Sequence, residues 1–84
     1  MTERTLTERD VKLLEVVAAG KGRWDTREID ITMSVRYGPS RMETVMQELR
    51  RLERMGFLAW DRSIGVGGRW AVTEQARSYL EGDR

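Results

Sequence analysis

Residues 40–56, SRMETVMQELRRLERMG, decide the fold of this 84-residue chain. Ser40 and Glu43 have the spacing of a capping box, in which two side chains satisfy the free N–H groups at a helix start. Pro39 stands just before this pair and Gly56 closes the segment, as expected at the two ends of a helix. Apolar residues recur at helical spacing in between: Met42, Val45, Met46, Leu49, Leu52 and Met55. The segment therefore predicts an amphipathic helix of about 15 residues.

The far side of this helix is polar and rich in arginine. At about 100° per residue it carries Ser40, Thr44, Gln47, Arg51 and Arg54, flanked by Arg50, Glu43 and Glu48. Residues 40–72 contain six arginines against four acidic residues, a balance of +2, whereas the whole chain has a net charge of +1. Any nucleic-acid contact is therefore indicated by where the charges lie, since their total is close to zero.

A first helix is predicted over residues 8–19. Thr7 and Asp10 form a variant capping box before it, and Gly20 is expected to supply a left-handed residue after it. Two residues lie at the edges of its apolar side, where they either widen the core face or contact a partner: Leu13 and Val16.

Residues 26–37 carry two conflicting patterns. Polar residues alternate here with an apolar set, as is typical of a strand: Ile29, Ile31, Met33, Val35 and Tyr37. The members at positions 29, 33 and 37 also fit helical spacing, and Asp25 with Glu28 forms a capping box before them. The pattern alone favours a strand, and a helix is predicted only because of the segment that follows.

After the helix at 40–56 the apolar period changes to two. Residues 57–60 and 69–72 are predicted as short antiparallel strands joined by the glycine-rich turn SIGVGG. Trp60 opposite Trp70 sets the register of two further pairs: Leu58 with Val72 and Asp61 with Arg69. A short final helix, capped by Thr73, returns three residues to the core: Ala76, Tyr79 and Leu80.

Composition excludes most catalytic and metal chemistry. The chain has no cysteine and no histidine, so no disulfide, metal site, cofactor or catalytic residue is predicted, and an enzyme is not expected. The longest apolar run, residues 16–19, is far shorter than the roughly 20 residues that cross a membrane. Charged residues precede it, so no signal peptide is expected. We expect a cytoplasmic protein without membrane contact, folded as one domain over 1–84 with its core at about 7–80.

A short extended piece is predicted at Trp24, between the first two helices. The predicted order of elements is therefore helix, short strand, helix, helix, strand, glycine-rich loop, strand and short helix. This α+β order is the winged helix-turn-helix arrangement. Residues 40–58 resemble the recognition helix and following strand of MarR-like and PadR-like transcription regulators, and residues 70–77, WAVTEQAR, resemble the part that closes the wing in those families. The resemblance covers about residues 7–80. It implies a three-helix bundle with a β-hairpin wing and a short C-terminal helix, and therefore a helix at 26–37.

The resemblance implies sequence-specific binding of double-stranded DNA by a small bacterial or phage transcription regulator. The third helix would enter the major groove, and the wing would reach the minor groove or the backbone. The implied contact residues are Ser40, Arg41, Thr44, Gln47, Arg51, Arg54, Arg62 and Arg69. Thr44 and Gln47 would reach base edges, and Arg51 would take part in recognition or hold phosphate. Ser40, Arg41 and Arg54 would hold phosphate, and the two wing residues, Arg62 and Arg69, would contact the minor groove or the backbone. For Arg69, an ion pair with Asp61 across the hairpin is the alternative.

DNA binding would make demands on this chain that leave protein binding as the alternative function. About four phosphate contacts per copy would bind weakly at physiological salt, so DNA recognition is expected to need a homodimer on two half-sites. We expect no long dimerisation helix after the winged core, and the wing tip lacks the Asp-x-Arg of MarR-like proteins. The alternative is a winged module that binds a host or regulatory protein through apolar residues: Leu13, Val16, Ile64 and Val66.

Overall fold

Four helices and one antiparallel hairpin make up the part of the chain that the structure describes. A computed structural model gives residues 6–62 and 68–82. In chain order the elements are α1 (Glu8–Ala19), α2 (Thr26–Tyr37), α3 (Met42–Arg54), β1 (Leu58–Asp61), β2 (Arg69–Val72) and α4 (Glu74–Gly82). The predicted α+β class is confirmed, and so is the helix, rather than a strand, at 26–37.

Helix α1 begins as predicted and ends differently. The Thr7 hydroxyl accepts the N–H of Asp10 at 3.1 Å, and the Asp10 carboxylate accepts the N–H of Thr7 at 3.0 Å, which completes the capping box. Gly20 has right-handed backbone angles, with φ −75°, so the prediction of a left-handed residue there is wrong; Lys21 takes that conformation. Gly20 is needed for space instead, because a Cβ there would lie 2.6 Å from the Trp24 ring.

Helix α2 divides its alternating apolar residues between two faces. The predicted capping box starts the helix, with both reciprocal hydrogen bonds formed. Ile29 and Met33 are fully buried, whereas Ile31 and Val35 are 52% and 81% exposed. The strand-like alternation therefore belongs to a helix with one apolar face in the core and a second apolar pair in solvent.

Helix α3 begins without a capping box. Arg41 is its N-cap residue and makes no side-chain capping hydrogen bond. The Ser40 hydroxyl instead donates to the Asp30 carboxylate at 2.6 Å and lies 3.1 Å from the Ser34 hydroxyl oxygen. The capping box predicted at Ser40 is therefore wrong, because side chains of α2 occupy the hydroxyl that would have capped α3.

The hairpin has the predicted register, although β1 lies one residue later than expected. Trp60 pairs with Trp70, and their ring centroids are 4.7 Å apart; the other predicted pairs, Leu58 with Val72 and Asp61 with Arg69, are also confirmed. The backbone N–H of Trp70 donates to the Trp24 carbonyl, and its indole N–H donates to the Thr26 hydroxyl, each at 2.9 Å. These bonds hold the hairpin against the start of α2.

Helix α4 closes the structure as predicted. The Thr73 hydroxyl accepts the N–H of Ala76 at 3.2 Å and donates to the Gly56 carbonyl at 2.7 Å, which joins the α4 cap to the end of the preceding helix. Ala76 is fully buried, and Tyr79 and Leu80 pack against the core.

The first three helices supply the largest fully buried side chains: Leu13, Leu14, Val16, Val17, Ile29, Met33, Val45, Leu49 and Leu52. Leu13 and Val16 therefore widen the core face of α1. The alternative prediction, that these two residues contact a partner, is wrong. Both are fully buried, because α2, α3, β2 and α4 all pack against α1.

Candidate nucleic-acid interface

Helix α3 has a different environment on each side. Val45, Leu49 and Leu52 face the core and are fully buried. One flank lies against α1, the opposite flank faces the hairpin and the start of α2, and the side away from the core is exposed. The polar residues of α3 therefore differ in what they can contact.

On the α1 flank the charges are paired. The Arg9 guanidinium donates two hydrogen bonds to the Glu48 carboxylate, from Nε to Oε2 and from Nη2 to Oε1, each 3.0 Å long. The hydrogen bond with Glu48 raises the pKa of Arg9, so this guanidinium stays charged. Glu48, whose charge would oppose a phosphate group, is thus neutralised within the fold.

Arg51 belongs to the same flank. Its Nη1 donates to Oδ1 of Asp10 at 2.9 Å, and the Asp10 side chain is only 3% exposed. Burial of a charged carboxylate without a cation or hydrogen-bond donors costs on the order of several kcal/mol of desolvation free energy. Arg51 is therefore tied to the fold, and its observed partner differs from the phosphate that the sequence suggested.

The side of α3 opposite the core is exposed. It carries Thr44, Gln47 and Arg54, all predicted contact residues, together with Glu43. The Gln47 amide and the Arg54 guanidinium make no hydrogen bond or ion pair with another described residue. Both groups are therefore available to an external ligand.

The hairpin flank of α3 borders a cleft of about 250 Å³. Met42 and Met46 line it with Trp60 and Trp70, and the two methionines are 42% and 37% exposed. The apolar pattern of the sequence had placed both methionines with the core residues of α3. They lie outside the core because the narrower stripe formed by Val45, Leu49 and Leu52 already fills it.

Two arginines and one acidic residue line this cleft, and a third arginine lines an adjoining depression. Arg27, at the start of α2, and Arg50 line the cleft, and Arg50 also lines the adjoining depression with Trp60, Arg62 and Gly68. None of the three arginines pairs with an acidic side chain of residues 6–62 or 68–82. We call the surface formed by the following residues the hairpin cleft: Arg27, Met42, Met46, Arg50, Trp60 and Arg62.

Arg27 and Arg50 are cleft residues that the sequence prediction did not select. Arg50 lies four residues after Met46 and eight after Met42, so the three share one row of the helix. That row would have indicated Arg50 if the methionines had been assigned to the surface. Arg27 gives no comparable signal, because only the folded chain brings the start of α2 beside the hairpin.

The start of α3 holds two further predicted contact residues. Arg41 is exposed and makes no hydrogen bond through its side chain with another described residue. Ser40 is half-buried, and its hydroxyl is engaged by Asp30 and Ser34. Of this pair, Arg41 is the one whose side chain is available to a phosphate group.

The hairpin carries the remaining predicted residues. Arg62 is exposed just after β1. Arg69 lies opposite Asp61 in the sheet, and its Nη1 donates to the Gly68 carbonyl at 2.7 Å, so part of its guanidinium is occupied locally. The two apolar tip residues of the alternative function lie outside the described residues: Ile64 and Val66.

No protein-family model, curated protein or solved structure matches the chain with significant similarity. In the described ranges, no three acidic side chains are grouped as metal ligands would be. None of the helices of those ranges has the length and apolar character of a membrane span. The function is therefore inferred from the arrangement of the side chains.

Proposed function

We propose that the protein binds double-stranded DNA as a winged helix-turn-helix domain, with α3 in the major groove and the hairpin as the wing. The separation of charges around α3 carries this proposal. Arg51 on the α1 flank has an acidic partner, whereas Arg50 and Arg54 have none among the described residues. Arg27 and Arg62 extend the unpaired set onto the neighbouring elements. Unpaired guanidinium groups on one surface suit the phosphates of a duplex, because each offers several N–H donors.

The exposed side of α3 also has groups that suit base edges. The Gln47 amide can donate to N7 and accept from N6 of adenine. Met46, the preceding residue, offers an apolar contact for the C5-methyl group of thymine. An A·T pair presents both features in the major groove, so each of these two groups suits an A·T pair.

The phosphate contacts in this proposal differ from those that the sequence suggested. Arg50 takes the place of Arg51, because the latter neutralises the buried Asp10. Arg54 and Arg41 keep their proposed roles, and at the N-terminus of α3 the helix dipole and unsatisfied N–H groups also favour an anion. The resemblance of residues 40–58 to MarR-like and PadR-like proteins supports the same mode of binding and a role as a transcription regulator.

Titration of a labelled DNA duplex at increasing salt tests the proposal. We expect a negative slope of log affinity against log salt, and its magnitude should fall by about one in Arg50→Ala and in Arg54→Ala, since each removes one phosphate contact. Arg77→Ala is the matched control, because it removes the same charge from an exposed site on α4. A slope near zero for the unmodified protein, or an equal loss in the Arg77 variant, would contradict DNA binding through this surface.

A second candidate function, binding of a partner protein, is favoured by the exposed Met42 and Met46 beside Trp60. Such an apolar surface is more typical of protein contacts than of solvated helices. This function predicts that a partner is retained from nuclease-treated lysate, that Met46→Asp abolishes the retention, and that Arg50→Ala does not. Loss of all retained material on nuclease treatment would instead favour DNA binding.

A further inference from the structure

Helix α2 has an apolar pair on the side that faces away from the core. Ile31 and Val35 are one turn apart, and Val35, 81% exposed, is the most exposed large hydrophobic residue of the described ranges. Ile29 and Met33 already supply the core contacts of this helix. β-branched residues lower helix propensity slightly, so this pair gives the isolated domain neither packing nor helix stability.

A row of polar residues runs beside this pair. Glu28, Thr32 and Arg36 follow one another at four-residue spacing, with the acidic residue near the start of α2 and the basic residue near its end. Arg36 makes no ion pair with another described residue. Glu28 uses Oε1 to accept the N–H of Asp25, which leaves its second carboxylate oxygen for another donor.

This distribution is self-complementary when two copies of α2 lie antiparallel. If Val35 packs on Ile31 of a second copy, the twofold axis passes beside position 33. With a rise of 1.5 Å per residue, Glu28 then lies about 7.5 Å from the axis, and Arg36 of the second copy lies about 4.5 Å from it on the same side. Glu28 and the second copy's Arg36 are therefore about 3 Å apart along the helix axes, a separation that their side chains can span.

We infer that the outward face of α2 binds a second copy of this chain, through an apolar pair at the centre and two Glu28–Arg36 pairs around it. A twofold contact of this kind uses the same surface on both copies, which is what the opposite charges at the two ends of α2 permit. One helix pair is smaller than the roughly 1,600 Å² of a standard interface, so the dimer is weak, with a dissociation constant of about 0.1–1 mM. The inference does not depend on DNA binding, and its test contains no DNA.

Sedimentation equilibrium up to about 1 mM protein measures this association. We expect a monomer–dimer equilibrium for the unmodified chain and a monomer at all concentrations for Val35→Asp. Ser78→Asp, an exposed site on α4, controls for the added charge and should dimerise normally. A monomeric unmodified chain, or equal association of the Val35 and unmodified proteins, would overturn the inference.

An exchange of charges tests the antiparallel arrangement itself. In a dimer of the Arg36→Glu variant, Glu28 of each copy lies opposite a glutamate of the other. In a dimer of the Glu28→Arg variant, Arg36 of each copy lies opposite an arginine. Each variant alone should therefore dimerise about tenfold more weakly than the unmodified chain. A mixture of the two variants restores both opposite-charge pairs in the mixed dimer, and its dissociation constant should return to about that of the unmodified chain. Circular dichroism verifies that both variants are folded before they are mixed. A mixture that associates no better than its components would refute the antiparallel contact.

Discussion

The two flanks of α3 contain the same kinds of charged residue and differ in their surroundings. Toward α1, Glu48 meets Arg9 at 3.0 Å and Arg51 meets Asp10 at 2.9 Å. Toward the hairpin, Arg50 borders Met46 and Trp60 and pairs with no acidic side chain of the described residues. Consecutive arginines of one helix therefore have different surroundings: Arg51 is paired with a buried carboxylate, and Arg50 has no acidic partner among the described residues.

The comparison shows why the number of charges in a helix says little about a binding surface. An ion pair inside the fold neutralises a residue that still counts in the net charge, and it also fixes two elements relative to each other. On the α1 flank this removes one acidic and one basic residue of α3 from any electrostatic attraction. Two acidic and two basic residues then remain on α3, a balance of zero, and one of the two basic residues, Arg50, lines the hairpin cleft.

Replacement of Arg51 should have the largest effect, and it should act on stability. Arg51→Ala leaves the Asp10 carboxylate buried without its cation, which should lower the free energy of unfolding by about 2 kcal/mol and the thermal midpoint by about 10 °C. The salt slope of DNA affinity, measured where the variant is folded, should remain unchanged. Urea unfolding and the salt titration give the two values, and a lower slope with normal stability would reverse the roles of the two flanks.

Replacement of Arg50 should do the opposite. Arg50→Ala should change the free energy of unfolding by no more than about 0.5 kcal/mol, because the side chain is exposed and has no acidic partner among the described residues. DNA affinity at low salt should fall about tenfold. If Arg50→Ala and Arg51→Ala behaved alike in both measurements, the distinction between the flanks would be lost.

A smaller effect sharpens the role of the methionines on the hairpin flank. If Met46 contacts a thymine methyl group, a duplex with deoxyuridine in place of thymine should bind about fourfold more weakly, since about 0.8 kcal/mol accompanies the burial of one such carbon. The Met46→Ala protein should not distinguish the two duplexes. Anisotropy titrations with both duplexes measure this difference, and equal discrimination by the variant would place the contact elsewhere.

The smallest effect is expected at the second ion pair of the α1 flank. Glu48→Gln keeps the shape of the side chain and removes its charge, so the free energy of unfolding should fall by about 0.5 kcal/mol, as for other partly exposed pairs. The salt slope should not change, because Arg9 lies on the flank away from the hairpin cleft. Chemical unfolding of the two proteins in parallel provides the comparison, and a steeper salt slope in the variant would show that Arg9 reaches DNA.

Local patterns predicted the parts of the fold that depend on neighbours in sequence. The Thr7 capping box joins residues three positions apart, and the Trp60–Trp70 register follows from the alternation of two short strands. Such features are fixed by backbone geometry and by contacts within one element or one hairpin. The pattern at 26–37 fits both a strand and a helix, because its apolar residues lie on two faces of the helix.

The features that the sequence did not predict depend on contacts between residues that are far apart in the chain. Arg51 pairs with Asp10, 41 positions away, and Arg9 pairs with Glu48, 39 positions away. No spacing rule within α3 could therefore predict these two ion pairs. The Ser40 hydroxyl likewise donates to Asp30, a residue of the preceding helix, and does not cap α3. For the candidate site, the sequence therefore indicated an amphipathic helix with a polar, arginine-rich side, but it could not tell the paired Arg51 from Arg50, which is unpaired among the described residues.

The close contact of two tilted indoles in the hairpin has an optical consequence. Trp60 is partly exposed at the hairpin cleft, and its ring centroid lies 4.7 Å from that of the buried Trp70. At this separation the electronic transitions of the two rings couple, and the near-ultraviolet dichroism they produce depends on their mutual tilt of 52°. A ligand bound in the cleft would change the polarity around Trp60, so the emission wavelength of the unlabelled protein would test whether a candidate ligand binds there.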